Sequence, residues 1–348
     1  MIRVLIVDDS PFMRRILKRI IESEDGIVVV GEAKNGQEAL ESIYTLKPDV
    51  ITLDIEMPIM DGLTALRKVI STFNIPVIML SSYTKEGACL TLKALEEGAF
   101  DFIPKPTNVF KIEGQAFQQE LISKIKVAAK SKCKSIKPME IIESKAKVLD
   151  RNKHKNNTFE YLIAIGASTG GPRALQYVIP LIPKTINASI VVVQHMPPKF
   201  TKSFADRLNN LSQLDVFEGE DNLILKRGCC YIAPGDFHMK VMQEDDVYKL
   251  KLDKGPHVKG LRPSVDVLME SVAKLKGLKI IGVILTGVGT DGATGVVEIK
   301  KANGYVMAQD KDSSTVFGMP RAAIETNCVD RIVPLNRLVD EIIEFVGV

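Results

Sequence analysis

Asp54 lies where an apolar, strand-like run gives way to a turn-like segment. It opens residues 54–62, which hold two further acids, a proline and a terminal glycine. An acid pair, Asp8 and Asp9, likewise follows the apolar residues 4–7. Three carboxylates brought together offer the hard oxygen ligands that suit Mg²⁺. A carboxylate on such an ion can attack a phosphoryl donor and become an aspartyl phosphate.

Two further polar residues follow apolar runs in the same half of the chain. Ser81 comes after residues 77–80, and Lys105 comes after residues 102–104. Because helix-like segments alternate with these runs, the pattern predicts an open parallel α/β sheet whose carboxyl strand ends line one ligand-binding crevice. A hydroxyl and an ammonium in that crevice would hold phosphoryl oxygens. Taken singly, the acid pair also suits a helix cap, and the lysine suits a solvated surface charge.

On these motifs, residues 1–122 resemble the receiver domain of two-component response regulators. The resemblance implies that Asp54 is the phosphoacceptor, with Ser81 as switch hydroxyl, Phe102 as rotating aromatic and Lys105 as phosphoryl contact. It also implies a Mg²⁺ site for phosphorylation, made of Asp8, Asp9, Asp54 and the backbone carbonyl of Glu56. The implied fold is a flavodoxin-like doubly wound sheet, with strands near 2–7, 27–33, 50–54, 76–81 and 100–104.

Length and composition favour a soluble protein of two domains. The chain has 348 residues, of which 45% are hydrophobic and 26% charged, an ordinary balance for globular protein. A net charge of +3 is too small to indicate nucleic-acid binding by itself. The odd number of cysteines, without metal-type spacing, indicates a reducing compartment. No apolar stretch is long enough to span a membrane and no signal peptide is evident, so we expect a cytoplasmic location without membrane insertion.

Residues 123–157 differ from the rest of the chain, since apolar periodicity weakens there and lysines crowd in. Such a segment buries too little apolar surface to offset the entropy of ordering it. A basic run also suits nucleic acid or anionic lipid, but this one lacks interleaved aromatics and a recognisable DNA-binding fold. The pattern favours a solvated linker whose first part continues the preceding helix.

The second half of the chain carries a serine, a histidine and an aspartate after apolar runs. Ser168 lies in a Gly-rich turn, residues 166–171, between a strand-like run and a helix-like segment opened by Pro172. His195 follows residues 190–194, and Asp291 lies in a Gly-rich turn after residues 280–286. At one sheet edge these groups would supply a nucleophile, its base and the carboxylate that orients the base.

Each of these residues has a simpler explanation when it is taken alone. The Gly-rich turn around Ser168 also suits phosphate binding at a helix N-terminus, the histidine suits a core position, and the aspartate suits a helix cap. The order Ser, His, Asp also differs from the order Ser, Asp, His of α/β-hydrolases. That difference disfavours the α/β-hydrolase fold, but it leaves triad chemistry open because a triad is defined by geometry.

Residues 158–348 closely resemble the catalytic domain of the bacterial chemotaxis protein-glutamate methylesterases, whose members carry a receiver in front. The matching stretches are 166–171, 194–197, 233–238, 262–266 and 308–310. The resemblance implies Ser168 as nucleophile, His195 as general base and Asp291 as its orienting carboxylate. It also implies one oxyanion donor, the backbone N–H of Val288, where the family has methionine between two glycines. We expect His238 to be structural, and His257 to be an exposed loop residue.

The implied reaction is hydrolysis of γ-glutamyl methyl esters on chemoreceptors with release of methanol, and also deamidation of receptor glutamines. No cofactor is expected for ester hydrolysis. The implied partners are methyl-accepting chemoreceptors as substrates and the chemotaxis histidine kinase as phosphodonor, without nucleic acid. The expected second domain is a larger, mostly parallel α/β sheet flanked by helices, with an antiparallel hairpin over 240–252.

Two alternatives come from other classes of protein. A DNA-binding response regulator would carry a helix-turn-helix output domain, but the second half shows repeated apolar strands that end in Gly-rich turns. A phosphorylation-controlled binding module with an inactive hydrolase fold also remains, because triad residues in a sequence do not establish competent geometry. For the two halves together, we expect the unphosphorylated receiver to cover the catalytic crevice, and phosphorylation to turn Phe102 inward and release it.

Overall fold

A computed structural model of the chain describes residues 1–106, 114–131, 158–245 and 247–347. The chain divides into two compact units. We describe each unit by itself.

The first unit is built on a five-stranded parallel sheet with strand order β2-β1-β3-β4-β5. Its strands are β1 (Ile2–Val7), β2 (Ile27–Ala33), β3 (Val50–Asp54), β4 (Val77–Ser81) and β5 (Asp101–Pro104). This order is that of flavodoxin-like doubly wound sheets. Strands β3 and β4 are buried along their whole length, which explains their nearly continuous apolar sequences.

Among the described residues of the first unit, five helices cover the sheet. They are α1 (Pro11–Glu22), α2 (Gly36–Leu46), α3 (Gly62–Thr72), α4 (Lys85–Glu96) and α5 (Gln115–Lys130). The first four begin after a residue whose side chain accepts a hydrogen bond from a first-turn backbone N–H, which satisfies an otherwise orphaned donor. These capping residues are Ser10, Asn35, Asp61 and Thr84.

The last helix of the first unit continues past residue 122, into the range predicted as a linker. It runs to Lys130, and its side chains Leu121, Ile125 and Ala128 are buried. The first part of the lysine-rich segment therefore has an apolar face that packs on the receiver. Most of the predicted linker, residues 132–157, lies outside the described residues.

The second unit contains a seven-stranded parallel sheet with strand order β14-β13-β12-β6-β7-β9-β8. Its strands are β6 (Tyr161–Ala167), β7 (Ala188–Gln194), β8 (Asp215–Glu218), β9 (Cys229–Ile232), β12 (Lys279–Ile284), β13 (Tyr305–Gln309) and β14 (Arg331–Val333). Strands β6 to β9 form one side of the sheet, and strands β12 to β14, which come later in the chain, form the other side. The strand order thus reverses between β6 and β12, which is where open α/β sheets bind ligands.

Helices and a hairpin complete the second unit. The helices are α6 (Gly171–Leu181), α7 (Phe200–Leu211), α8 (Val265–Val272), α9 (Ala293–Lys301), α10 (Met319–Glu325) and α11 (Leu338–Val346). The predicted hairpin is confirmed, because β10 (His238–Glu244) pairs antiparallel with β11 (Val247–Asp253). Within the described ranges, no helix is both long enough and apolar enough to cross a membrane.

Candidate functional site

Ser168, His195 and Asp291 all lie beyond the carboxyl ends of adjacent strands in the second unit. Ser168 directly follows β6, and His195 directly follows the neighbouring β7. Asp291 lies in the turn between β12, on the other side of β6, and α9. The His195 Nε2 atom is 2.8 Å from Asp291 Oδ2. Since this contact uses Nε2, the Nδ1 atom is the ring nitrogen left for a nucleophile.

The carboxylate of Asp291 is buried and held by several donors. The backbone N–H of Val265 donates to Oδ2 over 2.7 Å, and that of Asp266 donates to Oδ1 over 3.1 Å. The hydroxyl of Ser264, which also caps α8, donates to Oδ1 over 2.8 Å. Burial alone would raise the pKa of Asp291, but His195 and these donors outweigh burial and lower the pKa to about 2. The carboxylate is therefore ionised at neutral pH.

The lowered pKa of Asp291 predicts an acid-dependent stability. A carboxyl group whose pKa falls from its usual 3.8 to about 2 on folding stabilises the fold above about pH 4, and this contribution is lost as the pH falls towards about 2. We expect Asp291→Asn to lower the melting temperature of a 158–348 fragment near neutral pH. The difference from the unsubstituted fragment should shrink between about pH 4 and about pH 2, so a constant difference in thermal melts across that window would contradict the prediction.

The backbone around Ser168 is fixed by a neighbouring backbone carbonyl, one neighbouring side chain and a tight turn. The Ser168 N–H donates to the Thr286 carbonyl over 3.0 Å, so this N–H is not free to bind an oxyanion. The side-chain nitrogen of Gln194 donates to the carbonyls of Ser168 and His195 over 3.0 and 3.2 Å. Gln194, for which the sequence predicted no role, therefore links the backbone positions of Ser168 and His195.

Glycines allow the turns of the site to approach one another closely. Gly170 has a φ of 77°, and a Cβ added there would lie 2.5 Å from the Thr315 side chain. A Cβ added to Gly287 would lie 2.8 Å from the Cβ of Ser168. The β12–α9 turn thus passes directly against Ser168. The next residue in this turn is Val288, whose backbone N–H has no hydrogen-bond partner within the described part of the chain.

His238 and His257 occupy different environments. His238 is buried, and its Nε2 lies 3.0 Å from the Pro256 carbonyl, whereas His257 is exposed. Shortly after His257 in the chain, Arg262 pairs with Asp236 and donates to the carbonyl of Gly255 over 2.8 Å. This arginine holds the loop before Ser264, whose hydroxyl donates to Asp291.

In the first unit, the predicted acidic residues come together at the carboxyl ends of β1 and β3. Asp8, Asp9 and Asp54 each offer a carboxylate oxygen, and these atoms lie within 4.8 Å of one another. An added Cβ on Gly62 would lie 1.9 Å from the Asp54 carbonyl, so only glycine allows this return of the chain. Glu56 follows β3, and its side chain is exposed.

Lys105 connects the two buried acids of this cluster. Its Nζ lies 2.8 Å from Asp8 Oδ2 and 2.7 Å from Asp54 Oδ2. Burial raises the pKa of Asp54 to about 6, although the charge of Lys105 lowers it in part. Burial alone would lower the pKa of Lys105, but the carboxylates of Asp54 and Asp8 outweigh burial and raise it. A cation among these acids would favour the ionised form of Asp54.

The two predicted switch side chains are both buried. The Ser81 hydroxyl donates to the Gly87 carbonyl over 3.1 Å and accepts from the Thr91 hydroxyl over 2.6 Å. Phe102 is 4% exposed, and Lys124 on α5 donates to its carbonyl over 2.5 Å. The Phe102 ring is therefore already buried in this structure. The inward turn that we expected on phosphorylation would not start from an exposed ring here.

Comparison with known families agrees with both folds. Residues 163–342 match the family model described as CheB methylesterase, and residues 4–115 match that of the response regulator receiver domain. A protein-glutamate methylesterase/protein-glutamine glutaminase of Pyrococcus horikoshii is 45% identical over 352 residues, covering 100% of this chain and 94% of that protein. The Thermotoga maritima protein of the same description is 44% identical over 345 residues, covering 99% and 98% of the two chains.

One solved structure matches the second unit alone. The crystal structure of the Thermotoga maritima CheB methylesterase catalytic domain has a TM-score of 0.53 and 44% identity, and it covers 53% of this chain and 98% of its own. Fold and site together define a response regulator whose output domain is an esterase. The chain belongs to the CheB methylesterase family. The predicted family and the two predicted α/β folds are thus confirmed.

Proposed function

We propose that the chain hydrolyses glutamate methyl esters of chemoreceptors through Ser168, His195 and Asp291. The contact of 2.8 Å between His195 Nε2 and the buried Asp291 carboxylate carries the proposal, because it fixes the imidazole and leaves Nδ1 to act as the base. Methanol release from methylated receptor membranes is the test, and Ser168→Ala is the decisive variant. We place the reaction in the cytoplasm, where the methylated receptor helices of this family lie.

In the acylation step, the Ser168 oxygen bonds to the ester carbonyl carbon while its proton passes to Nδ1 of His195. Asp291 stabilises the resulting imidazolium and holds the imidazole in one tautomer. The Val288 N–H is the donor we assign to the developing oxyanion, since its amide is unpaired among the described residues and follows Gly287, which lies against Ser168. The carbon–methoxy bond then breaks, and the imidazolium gives its proton to the departing methoxide.

Deacylation repeats this chemistry with water. His195 removes a proton from water as the oxygen bonds to the acyl carbon, and then returns a proton to Ser168 as the acyl–serine bond breaks. A glutamine side chain would form the same acyl-enzyme with ammonia as the leaving group, so we also propose deamidation of receptor glutamines. His195 and Ser168 make the proton transfers with substrate and water, so we expect the hydrolysis to need no cofactor.

For the receiver, we propose Asp54 as phosphoacceptor and a chemotaxis histidine kinase as phosphodonor. The three clustered carboxylates form an all-oxygen donor set that fits a hard divalent cation such as Mg²⁺. Asp8, Asp9, Asp54 and the Glu56 carbonyl would hold it, and the ion would neutralise charge on the phosphoryl group. Lys105, which is 2.7 Å from Asp54, would contact one phosphoryl oxygen, and Ser81 would contact another.

We further propose that the unphosphorylated receiver restrains the esterase on the same chain. A tether keeps the receiver at high effective concentration, so a weak interface is enough to occlude the catalytic site. Phosphorylation shifts the balance only if the phosphoryl group has different contacts in the two states, and Ser81 and Lys105 supply such contacts. The alternative is that the receiver only docks the enzyme near its kinase without inhibiting it.

A fragment of residues 158–348 is expected to hydrolyse receptor esters faster than the unphosphorylated full-length chain, because it lacks the restraining receiver. A small-molecule phosphodonor with Mg²⁺ should raise the rate of the full-length chain towards that of the fragment. Initial rates of methanol release measure both effects, and the fragment treated with phosphodonor is the matched control. If the fragment is no faster and the phosphodonor has no effect, the docking alternative is correct.

A further inference from the structure

Two buried carboxylates in the esterase domain exchange hydrogen bonds across the starts of two helices. Asp291, which precedes α9, accepts from Val265 N and Asp266 N in the first turn of α8. Asp266, which belongs to α8, accepts in return from Gly292 N and Gly295 N at the start of α9, over 2.9 and 2.8 Å. Each carboxylate thereby satisfies orphaned N–H donors of the neighbouring helix.

Lys259 completes this arrangement from the loop before α8. Its Nζ lies 2.8 Å from Asp266 Oδ2 and 3.1 Å from the Thr290 carbonyl. The Asp266 side chain is 4% exposed, and the Lys259 side chain is 39% exposed. The lysine thus provides a counter-charge for a buried carboxylate and also fixes the residue that precedes Asp291.

The exchange leaves Asp291 little freedom to rotate or shift. Its Oδ1 atom takes the Ser264 hydroxyl and the Asp266 N–H, while Oδ2 takes the Val265 N–H and His195. Gly292, the residue after Asp291, is in turn held by Asp266 Oδ1. Without the Asp266 carboxylate, the start of α9 loses the two hydrogen bonds that Oδ1 accepts, and Asp291 is released on one side.

We infer that Asp266 and Lys259 are positioning residues for the hydrolysis, which hold Asp291 in the orientation that His195 requires. The inference rests on the proposed function of the triad. The side chains of Asp266 and Lys259 contact the start of α9, the Thr290 carbonyl and each other, so we expect their loss to act on the chemical step and not on receptor binding. Misplacement of a catalytic group by about 1 Å costs on the order of a hundredfold in rate.

The test measures kcat and KM for methanol release with the full-length chain, activated by phosphodonor, on methylated receptor membranes. We expect Asp266→Ala and Lys259→Met to lower kcat by about 10- to 100-fold, with little change in KM. Lys259→Arg, which keeps the positive charge, should recover most of the lost rate. Lys251→Met is the control for loss of a lysine charge, because Lys251 pairs with the partly exposed Asp221 outside this arrangement.

Thermal melts of each variant distinguish positioning from a merely structural role. If kcat falls only in proportion to the folded fraction, or if Lys259→Met keeps the unsubstituted kcat, the inference is wrong. If Asp266→Ala does not fold, Lys259→Met decides, since it keeps both helix-start acceptors. Ser168→Ala run in parallel separates the two proposals: an active Ser168→Ala protein refutes the triad itself, whereas an inactive one with unaffected Lys259→Met refutes only the positioning role.

Discussion

Ser168→Ala is expected to lower methanol release from methylated receptor membranes by at least about a thousandfold, as loss of a serine nucleophile does in triad hydrolases. The reason is that no acyl-enzyme forms without the hydroxyl, while the oxyanion donor and substrate binding persist. His195→Ala should have a comparable effect, because a serine hydroxyl is a weak nucleophile without its base. The measurement is the initial rate per folded enzyme after activation by phosphodonor.

Ser189→Ala is the matched control for this experiment. Ser189 lies on β7 in the same sheet and is fully buried, and its hydroxyl has no hydrogen-bond partner among the described residues. Its removal should therefore leave both folding and hydrolysis close to those of the unsubstituted protein. Near-normal hydrolysis by the Ser168→Ala protein would refute the serine mechanism. Absence of hydrolysis by the unsubstituted protein as well as by both variants would favour an inactive hydrolase fold that serves as a binding module.

Strand ends were the part of the fold that the sequence predicted well. Apolar runs ending in a polar residue identify β1, β3 and β4 of the receiver, and observed strand starts differ from predicted ones by at most one residue. The same signal places Ser168 and His195 directly after β6 and β7. It works because strands buried on both faces must be apolar, so a charged or polar residue marks the point where burial ends.

Contacts made across the sequence were not predictable in this way. Asp266 lies in a stretch that matched the family, and the Ser264-x-Asp266 pattern before an apolar run indicates a helix start. That local pattern does not indicate that the Asp266 carboxylate accepts hydrogen bonds from the start of α9, where Gly292 lies 26 residues further along the chain. Lys259 carried no signal, since a lysine in a polar loop is usually a solvated charge.

The state of the receiver switch was also outside what the sequence determines. Phe102 opens an apolar run whether its ring faces inward or outward, and the structure places the ring in the buried position. Lys124 lies 5.4 Å from the centre of that ring and pairs with Asp101 over 3.3 Å. Lys124 lies in the range predicted as a solvated linker. Its contacts could not be predicted, because the packing of one helix face against β5 depends on tertiary contacts.

The substitution Asp54→Asn is expected to abolish labelling by a small-molecule phosphodonor in the presence of Mg²⁺. An amide cannot form the acyl phosphate, although asparagine has nearly the same shape and can still accept the Ile55 N–H, which donates to Asp54 Oδ1 over 2.8 Å. The variant should also lose activation of methanol release, since the phosphoryl group is absent. Incorporation of radiolabelled phosphate per chain and the rate of hydrolysis measure the two effects together.

Two neighbouring acids supply the controls for Asp54. Asp61 caps α3 by accepting from Thr64 N, and asparagine caps helices equally well, so Asp61→Asn should be labelled normally. Asp9→Ala keeps the acceptor but removes one carboxylate of the cluster, so its labelling should need more Mg²⁺ and recover at high concentration. Asp54 is 5% exposed and lies 2.7 Å from Lys105, so we expect loss of its charge to affect only this acidic cluster. Stoichiometric labelling of Asp54→Asn would therefore move the acceptor to another residue and remove the proposed origin of the switch.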